Sequence, residues 1–458
     1  MSHQEIPSRA ISSGLKLKSM SLLKRARLRS VKARAGAASP KPRRPKAWWW
    51  RGASFLSIAY LVASQALLDL PGWSASAFGF AVLLAGLLVA GAYYGVWRLR
   101  VGTWLLVPLL FVCYGLLRCF SGISETSPFG TFAQLVSAFL GGTALALALR
   151  AGVSFKTLVY AQLAANLLQI VTVLSGLAPQ PITDEETFRY AGITGNPNTL
   201  GLQLTFGACL IWLLPRKAGV LPCAFAFAAV AFALAVTGSR KTLLISLCFL
   251  VLVFIQSVVL VPRKRRRLMA VLAVVTLCLT GLFAGHWLYQ NGAEILAVRR
   301  ALDYDDSSYR TRSEMVQQGL QLWRQAPLFG NGLDAFRGLS GQGTYSHNNY
   351  VELLCNLGLV GALLFYTVYL HVLLRSVRAP LVLRFYCWMF ILVLLLADFA
   401  YVSYTSKQAV MILMILLVVP TSRFAFEPSR SSGAPPGAPS GGQPKHHHAR
   451  PRRFILGA

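Results

Sequence analysis

The residues of this chain that could do chemistry gather in its longest polar interval, Asn291 to Gly361, and at two junctions upstream of it. Thr311 followed by Glu314 has the form of a capping box, so the spacing predicts a helix that begins there and stops before Pro327. Arg312 then falls in the first turn, where free backbone N–H groups favour an anion, and a guanidinium beside them strengthens a phosphate site. The interval closes on His347 and Asn348. Arg240 and Lys241 form a basic pair in TGSRKTLL, between two apolar runs, where a boundary charge is either a functional cation or a snorkelling anchor. Arg189 follows Asp184, Glu185 and Glu186 and could reach an anionic ligand or pair with these neighbours. Beyond it Asn196, Pro197 and Asn198 make a turn.

The elements that must hold these residues are apolar. With 55% hydrophobic and 13% charged residues, the composition is that of an all-α polytopic membrane protein. The net charge of +30 does not point to nucleic acid, because the basic residues lie in short clusters between apolar runs. Runs near 52–70, 75–97, 101–120, 129–149, 155–177, 192–214, 219–237, 242–261, 268–290, 349–374, 381–400 and 407–424 make about twelve candidate spans. Basic clusters, RKRRR at 263–267 among them, follow every second run and carboxylates concentrate in the alternate loops. This puts both termini in the cytoplasm and the loop 291–348 outside.

The segment 1–47 is a basic cytoplasmic tail, with fourteen Lys and Arg up to Arg51 against Glu5. It lacks the apolar core and cleavage site of a signal peptide, and reads as a lipid-binding helix or a disordered tail. Trp48, Trp49 and Trp50 mark the membrane interface, residues 48–424 the membrane domain, and 425–458 a second, disordered cytoplasmic tail. The cysteines read as packing residues. Gln162, Asn166 and Gln169 form a polar stripe that either hydrogen-bonds between helices or lines an outward cavity. Val316, Leu320 and Trp323 give the loop helix an apolar face. His286 lies inside an apolar run and reads as packed, which leaves His347 as the histidine at the outer face.

At these residues the chain resembles the O-antigen ligase and Wzy O-antigen polymerase superfamily. His347-Asn348, nine residues, then Gly358-Leu359-Val360-Gly361 is similar to its His-Asn…Gly-x-x-Gly pattern. TGSRKTLL resembles its Ser-Arg motif and GNPNTLG at 195–201 its Asn-Pro-Asn motif. Arg310 or Arg312 through PLFGNG at 327–332 resembles its Arg-bearing helix and Pro-x-x-Gly-x-Gly turn.

The resemblance implies a glycosyltransferase of the bacterial inner membrane, without cofactor or metal. It would move a glycan from an undecaprenyl diphosphate carrier to a sugar hydroxyl at the periplasmic face. The acceptor would be lipid A core or a second lipid-linked glycan. An imidazole suits removal of the hydroxyl proton, which makes His347 the candidate base. Guanidinium donors suit the departing diphosphate, which assigns Arg240 and Arg312 to it, with Lys241, Arg310 and Arg189 as auxiliaries. Asn348, Asn196 and Asn198 support the site, and Glu352 and Asp398 line the cavity or pair with the arginines. Asp303-Tyr304-Asp305 has the D-x-D form of cation sites, but a lipid-linked donor makes loop solvation or acceptor contacts with Asp303, Asp305 and Asp306 the better reading. A transporter or flippase would show inverted repeats and midplane charges, and none is visible. A non-catalytic assembly component would tolerate loss of His347.

Overall fold

The computed structural model describes residues 47–67, 73–94, 102–121, 127–177, 182–184, 187–212, 220–259 and 307–419. The expectations for the basic tail before 47, the run near 268–290, the RKRRR cluster, His286, Glu185, Glu186, Asp303, Asp305, Asp306 and the tail from 425 lie outside the described residues.

Among the described residues the chain runs α1 (Ala47–Gln65), α2 (Trp73–Tyr93), a 3-10 turn (Thr103–Leu105), α3 (Leu106–Cys119), α4 (Pro128–Ala151) and α5 (Phe155–Leu174). Then come β1 (Ile182–Asp184), β2 (Thr187–Arg189), a second 3-10 turn (Gly192–Thr194), α6 (Pro197–Trp212), α7 (Val220–Thr237) and α8 (Arg240–Val259). The described chain ends with α9 (Ser307–Gln325), α10 (Ala335–Leu339), α11 (Asn349–Ser376), α12 (Leu381–Asp398) and α13 (Lys407–Val418). A helix occupies each apolar run named above except the one outside the described residues. Four of them, α2, α4, α5 and α11, are long and apolar enough by length and composition to cross a membrane, so the chain is a helical membrane protein of several spans.

The all-α expectation holds for the bundle, to which one short hairpin is added. β1 and β2 pair antiparallel, Ile182 against Arg189, with Ile, Thr and Phe supplying strand-favouring residues. Helix ends follow local chemistry. Ser154 accepts from the Lys156 N–H to start α5, Ser406 accepts from the Ala409 N–H to start α13, and Gly152 ends α4 in the left-handed region.

The core is the interior of the helix bundle. α13 packs along α4, α1 along α2, and α6 against α5, α7 and α8. Phe111 of α3 lies 5.3 Å from the ring of Phe365 and 6.3 Å from that of Tyr404, joining three elements through one aromatic cluster. The polar stripe of α5 is the interhelical kind. Gln162 donates to Asn166 Oδ1 (2.9 Å), Asn166 to the Leu204 carbonyl (3.1 Å), and Gln169 to the Gln65 carbonyl (3.0 Å).

The run expected as one span at 349–374 is two helices. Gly358, with φ 65° and ψ −168°, breaks α11, a conformation open essentially to glycine alone. Asn349 and Tyr366 both donate to Asp398 Oδ2, at 3.3 and 2.9 Å, and Asn349 Nδ2 also donates to the Tyr366 hydroxyl oxygen at 2.9 Å. A straight helix would separate them by about 25 Å, so the segment 349–357 folds back over the segment 359–376. Hydropathy reads both halves as one run because a bend leaves no apolar signature.

Candidate functional site

The break in α11 builds the site, and its unsatisfied backbone groups explain the glycine motifs. A helix end leaves carbonyls free and a helix start leaves amides free. Here the turn 327–332 supplies partners for both. The Asn331 and Gly332 N–H groups donate to the Cys355 and Asn356 carbonyls, and the Leu359 and Val360 N–H groups donate to the Pro327 and Leu328 carbonyls, all at 2.9–3.1 Å. A Cβ on Gly330 would lie 2.5 Å from the Asn356 backbone, so the two chains meet main chain to main chain. From α3, Arg118 donates to the Gly330 carbonyl (2.8 Å) and Tyr114 to those of Leu357 (2.9 Å) and Phe329 (3.1 Å). Neither residue stands out in the sequence, although a basic residue at the end of an apolar run is a visible signal.

His347 sits just before the first half of α11, with φ 57°, on the left-handed side that non-glycine residues seldom take. Asn348 caps the helix by accepting from the Val351 N–H (3.1 Å). Asn349, fully buried, accepts from the Ser403 (2.8 Å) and Tyr404 (3.1 Å) amides and so ties the α12–α13 turn to the start of α11. Glu352, also buried, accepts from the Ser346 N–H (2.7 Å) and from Asn356 Nδ2 (3.0 Å), while Asn356 Oδ1 accepts from the Phe336 N–H (2.8 Å). The expectation that Glu352 and Asp398 line a cavity or pair with arginines is therefore corrected. Both are buried within amide and tyrosine networks, which compensate desolvated carboxylates. Asn356 and Asn349 escaped the sequence reading, although an Asn inside an apolar run is itself a cue.

The His347 ring packs on Tyr345 at 4.3 Å between centroids. Burial, then the nearby charges of Lys241 and Arg312, lower its pKa from 6.5 to about 3, so the imidazole is neutral. Its Nδ1 is buried with no hydrogen-bond partner among the described residues. Tyr345 is pushed up by burial, with Arg312 opposing.

The cations come from two helices. α8 starts at Arg240, with Lys241 buried and Arg240 half-buried. Its start is tied to the Asn-Pro-Asn turn, because Ser239 Oγ donates to Asn198 Oδ1 (2.8 Å) and Thr242 fills the space over Gly201. Asn196 Oδ1 accepts from the Asn198 N–H (2.9 Å), capping α6. Arg189 donates to the last carbonyl of α7, Thr237 (2.9 Å), and to Asn198 (3.4 Å), joining the hairpin to the same corner.

α9 corrects the loop expectations. It begins at Ser307, a turn before the Thr311–Glu314 pair, so Arg312 lies in the second turn and not among the free N–H groups. Ser307 and Ser308 are themselves suited to a helix start, which the capping-box pattern overlooked. The face packed on α11 is Met315, Gly319 and Leu322, and the apolar face of Val316, Leu320 and Trp323 beside it is half-buried. Gly319 lets the helices close until Val351 occupies the place of a Cβ. Arg312 shares that face through its i+3 and i+7 neighbours, whereas Arg310, about 200° away around the helix, is exposed.

The fold and site thus define a helical membrane protein in which the charges of a buried lysine and a half-buried arginine lie near a neutral histidine at a helix start. Residues 225–366 match the family model described as O-Antigen ligase. This stretch holds the Ser-Arg pair, α9, the turn 327–332, His347 and the α11 break, and its match supports the resemblance to the O-antigen ligase and polymerase superfamily. A search of curated proteins finds no match.

Proposed function

We propose that the protein transfers a glycan from an undecaprenyl diphosphate carrier to a sugar hydroxyl at the periplasmic face of the inner membrane, without a metal. In this reading about twelve spans place both termini in the cytoplasm. The observation that carries it is the burial of His347, left-handed at the start of α11, within the field of the Lys241 and Arg312 charges, inside the stretch that matches the ligase family model. A neutral imidazole can take a proton, and fixed cations beside it offset the charge that develops on a departing diphosphate. His347 accepts the proton of the attacking hydroxyl. Arg312, Lys241 and Arg240 hold the diphosphate, while Arg189, Asn196 and Asn198 hold the ends of α6, α7 and α8 in place.

Glycan analysis of a gene-deletion strain complemented with variants tests this. Short repeat-unit glycans without long chains in the deletion identify a second lipid-linked glycan as acceptor. Accumulated lipid-linked polymer with bare lipid A core identifies the core. Arg312→Ala is expected to lower output by about 10²–10³-fold, the usual cost of one fixed donor to a developing anion. Arg310→Ala costs far less, because that side chain stands on the opposite face of α9. Equal losses in the two variants would contradict the assignment.

A further inference from the structure

We infer that Glu352 is a positioning residue whose buried carboxylate holds the backbone at Ser346 and so keeps His347 in its left-handed, reactive placement. The inference rests on the reading of His347 as the base, and it concerns what orients that base.

An imidazole base needs something to orient it, and a hydrogen bond to the second ring nitrogen is the usual device. His347 Nδ1 takes none among the described residues. Ring contact with Tyr345 limits tilt but gives no hydrogen bond that selects a direction. Orientation therefore falls to the backbone, and the backbone at His347 is in a conformation that costs energy unless its surroundings impose it. Two neighbours do so. On the downstream side, Asn348 caps α11. On the upstream side, the Ser346 N–H donates to Glu352 Oε2 at 2.7 Å, a short, charge-assisted bond. Ser346 Oγ, donating to the Asn348 carbonyl at 2.9 Å, closes the turn around His347.

The other carboxylate oxygen shows that the latch is itself anchored. Glu352 Oε1 accepts from Asn356 Nδ2, and Asn356 cannot turn over, because its Oδ1 already accepts from the Phe336 N–H. Both Glu352 oxygens therefore face donors whose orientation is set. Ser346, Glu352, Asn356 and Phe336 form one buried chain from the histidine turn to α10. Glutamine at 352 has the same shape but a single acceptor, so its NH₂ must point at an N–H donor on one side or the other. Glu352→Gln releases Ser346 or breaks the Asn356 bond without changing packing volume.

The test is hydrogen–deuterium exchange of the purified full-length protein in lipid nanodiscs, together with transfer kinetics on lipid-linked glycan extracted from the deletion strain. In Glu352→Gln, peptides spanning 343–350 are expected to exchange at least about tenfold faster, with α4 and α13 peptides unchanged. On the extracted donor, kcat is expected to fall by at least about tenfold with KM held, because donor contacts persist while the base is misplaced. Exchange at 343–350 equal to wild type in Glu352→Gln and also in Glu352→Ala, which removes both acceptors, overturns the latch whatever the kinetics do. Faster exchange with full kcat overturns the positioning role. If His347→Ala itself leaves transfer intact, the reading of His347 as base fails, and the exchange result still decides the latch by itself. Should Glu352→Gln fail to fold, Glu352→Asp, which keeps both acceptors but withdraws them by one methylene, replaces it. Intermediate acceleration confined to 343–350 supports the latch, and none overturns it.

Discussion

His347→Ala is expected to lower glycan transfer by about 10²–10⁴-fold, the range for loss of a positioned general base, with the protein still present in the membrane at its usual level. Glycan gels and transfer rates on extracted lipid-linked donor check both statements. The pH dependence carries a second signature. Because the folded pKa, about 3, lies below the ordinary 6.5, the neutral base survives as pH falls through the usual imidazole range. The acid limb of kcat/KM, which reports the free enzyme, should thus lie well below pH 6.5. A bound diphosphate offsets the Lys241 and Arg312 charges that help to depress the pKa, so the acid limb of kcat should sit at higher pH than that of kcat/KM. Full activity of His347→Ala, or the two limbs in reverse order, would remove His347 from the chemistry and favour the transporter or scaffold reading.

Gly358→Ala is expected to destabilise the protein by about 2–6 kcal/mol, from about 1–3 kcal/mol for a non-glycine residue in this glycine-only conformation plus about 1–3 kcal/mol of overpacking. The added Cβ would strike the backbone of Leu328 and Gly330, which cannot move aside as a flexible side chain can. Main-chain shift there pulls apart the hydrogen bonds that pair the turn 327–332 with both halves of α11. Fluorescence-detected size exclusion and thermal unfolding in detergent measure the loss. A wild-type midpoint for Gly358→Ala would mean that α11 can bend without this contact. A matching loss is expected for Gly330→Ala, whose Cβ meets the same junction from the other side.

The places of the helices were legible in the linear sequence because burial in lipid demands long apolar runs, and period and length alone reveal them. Within a few residues, α1 through α8 and α11 through α13 lie at those runs, and His347, Asn348, Arg240 and Lys241 stood out as polar residues at their ends. Short-range turn chemistry was legible too, as in the Asn196–Asn198 turn at the start of α6. The start of α9 was not legible, because serine at 307 and threonine at 311 offer competing starts within one turn. Which face packs on α11 was not legible, since Gly319 adds no hydrophobicity to a periodic pattern yet permits the close approach of Val351.

What only the tertiary structure decided is the meeting of parts distant in the chain. The break at Gly358 is invisible to hydropathy, and it brings Asn349 beside Asp398 and the turn 327–332 into the gap. The partition between Arg310 and Arg312 follows from which face of α9 meets α11, and the depressed pKa of His347 follows from burial beside cations from α8 and α9. Composition and period determine which segments leave water, because that depends on each residue's own transfer energy. Which side chains then face one another depends on how the segments bend and pack, and no single segment carries that information.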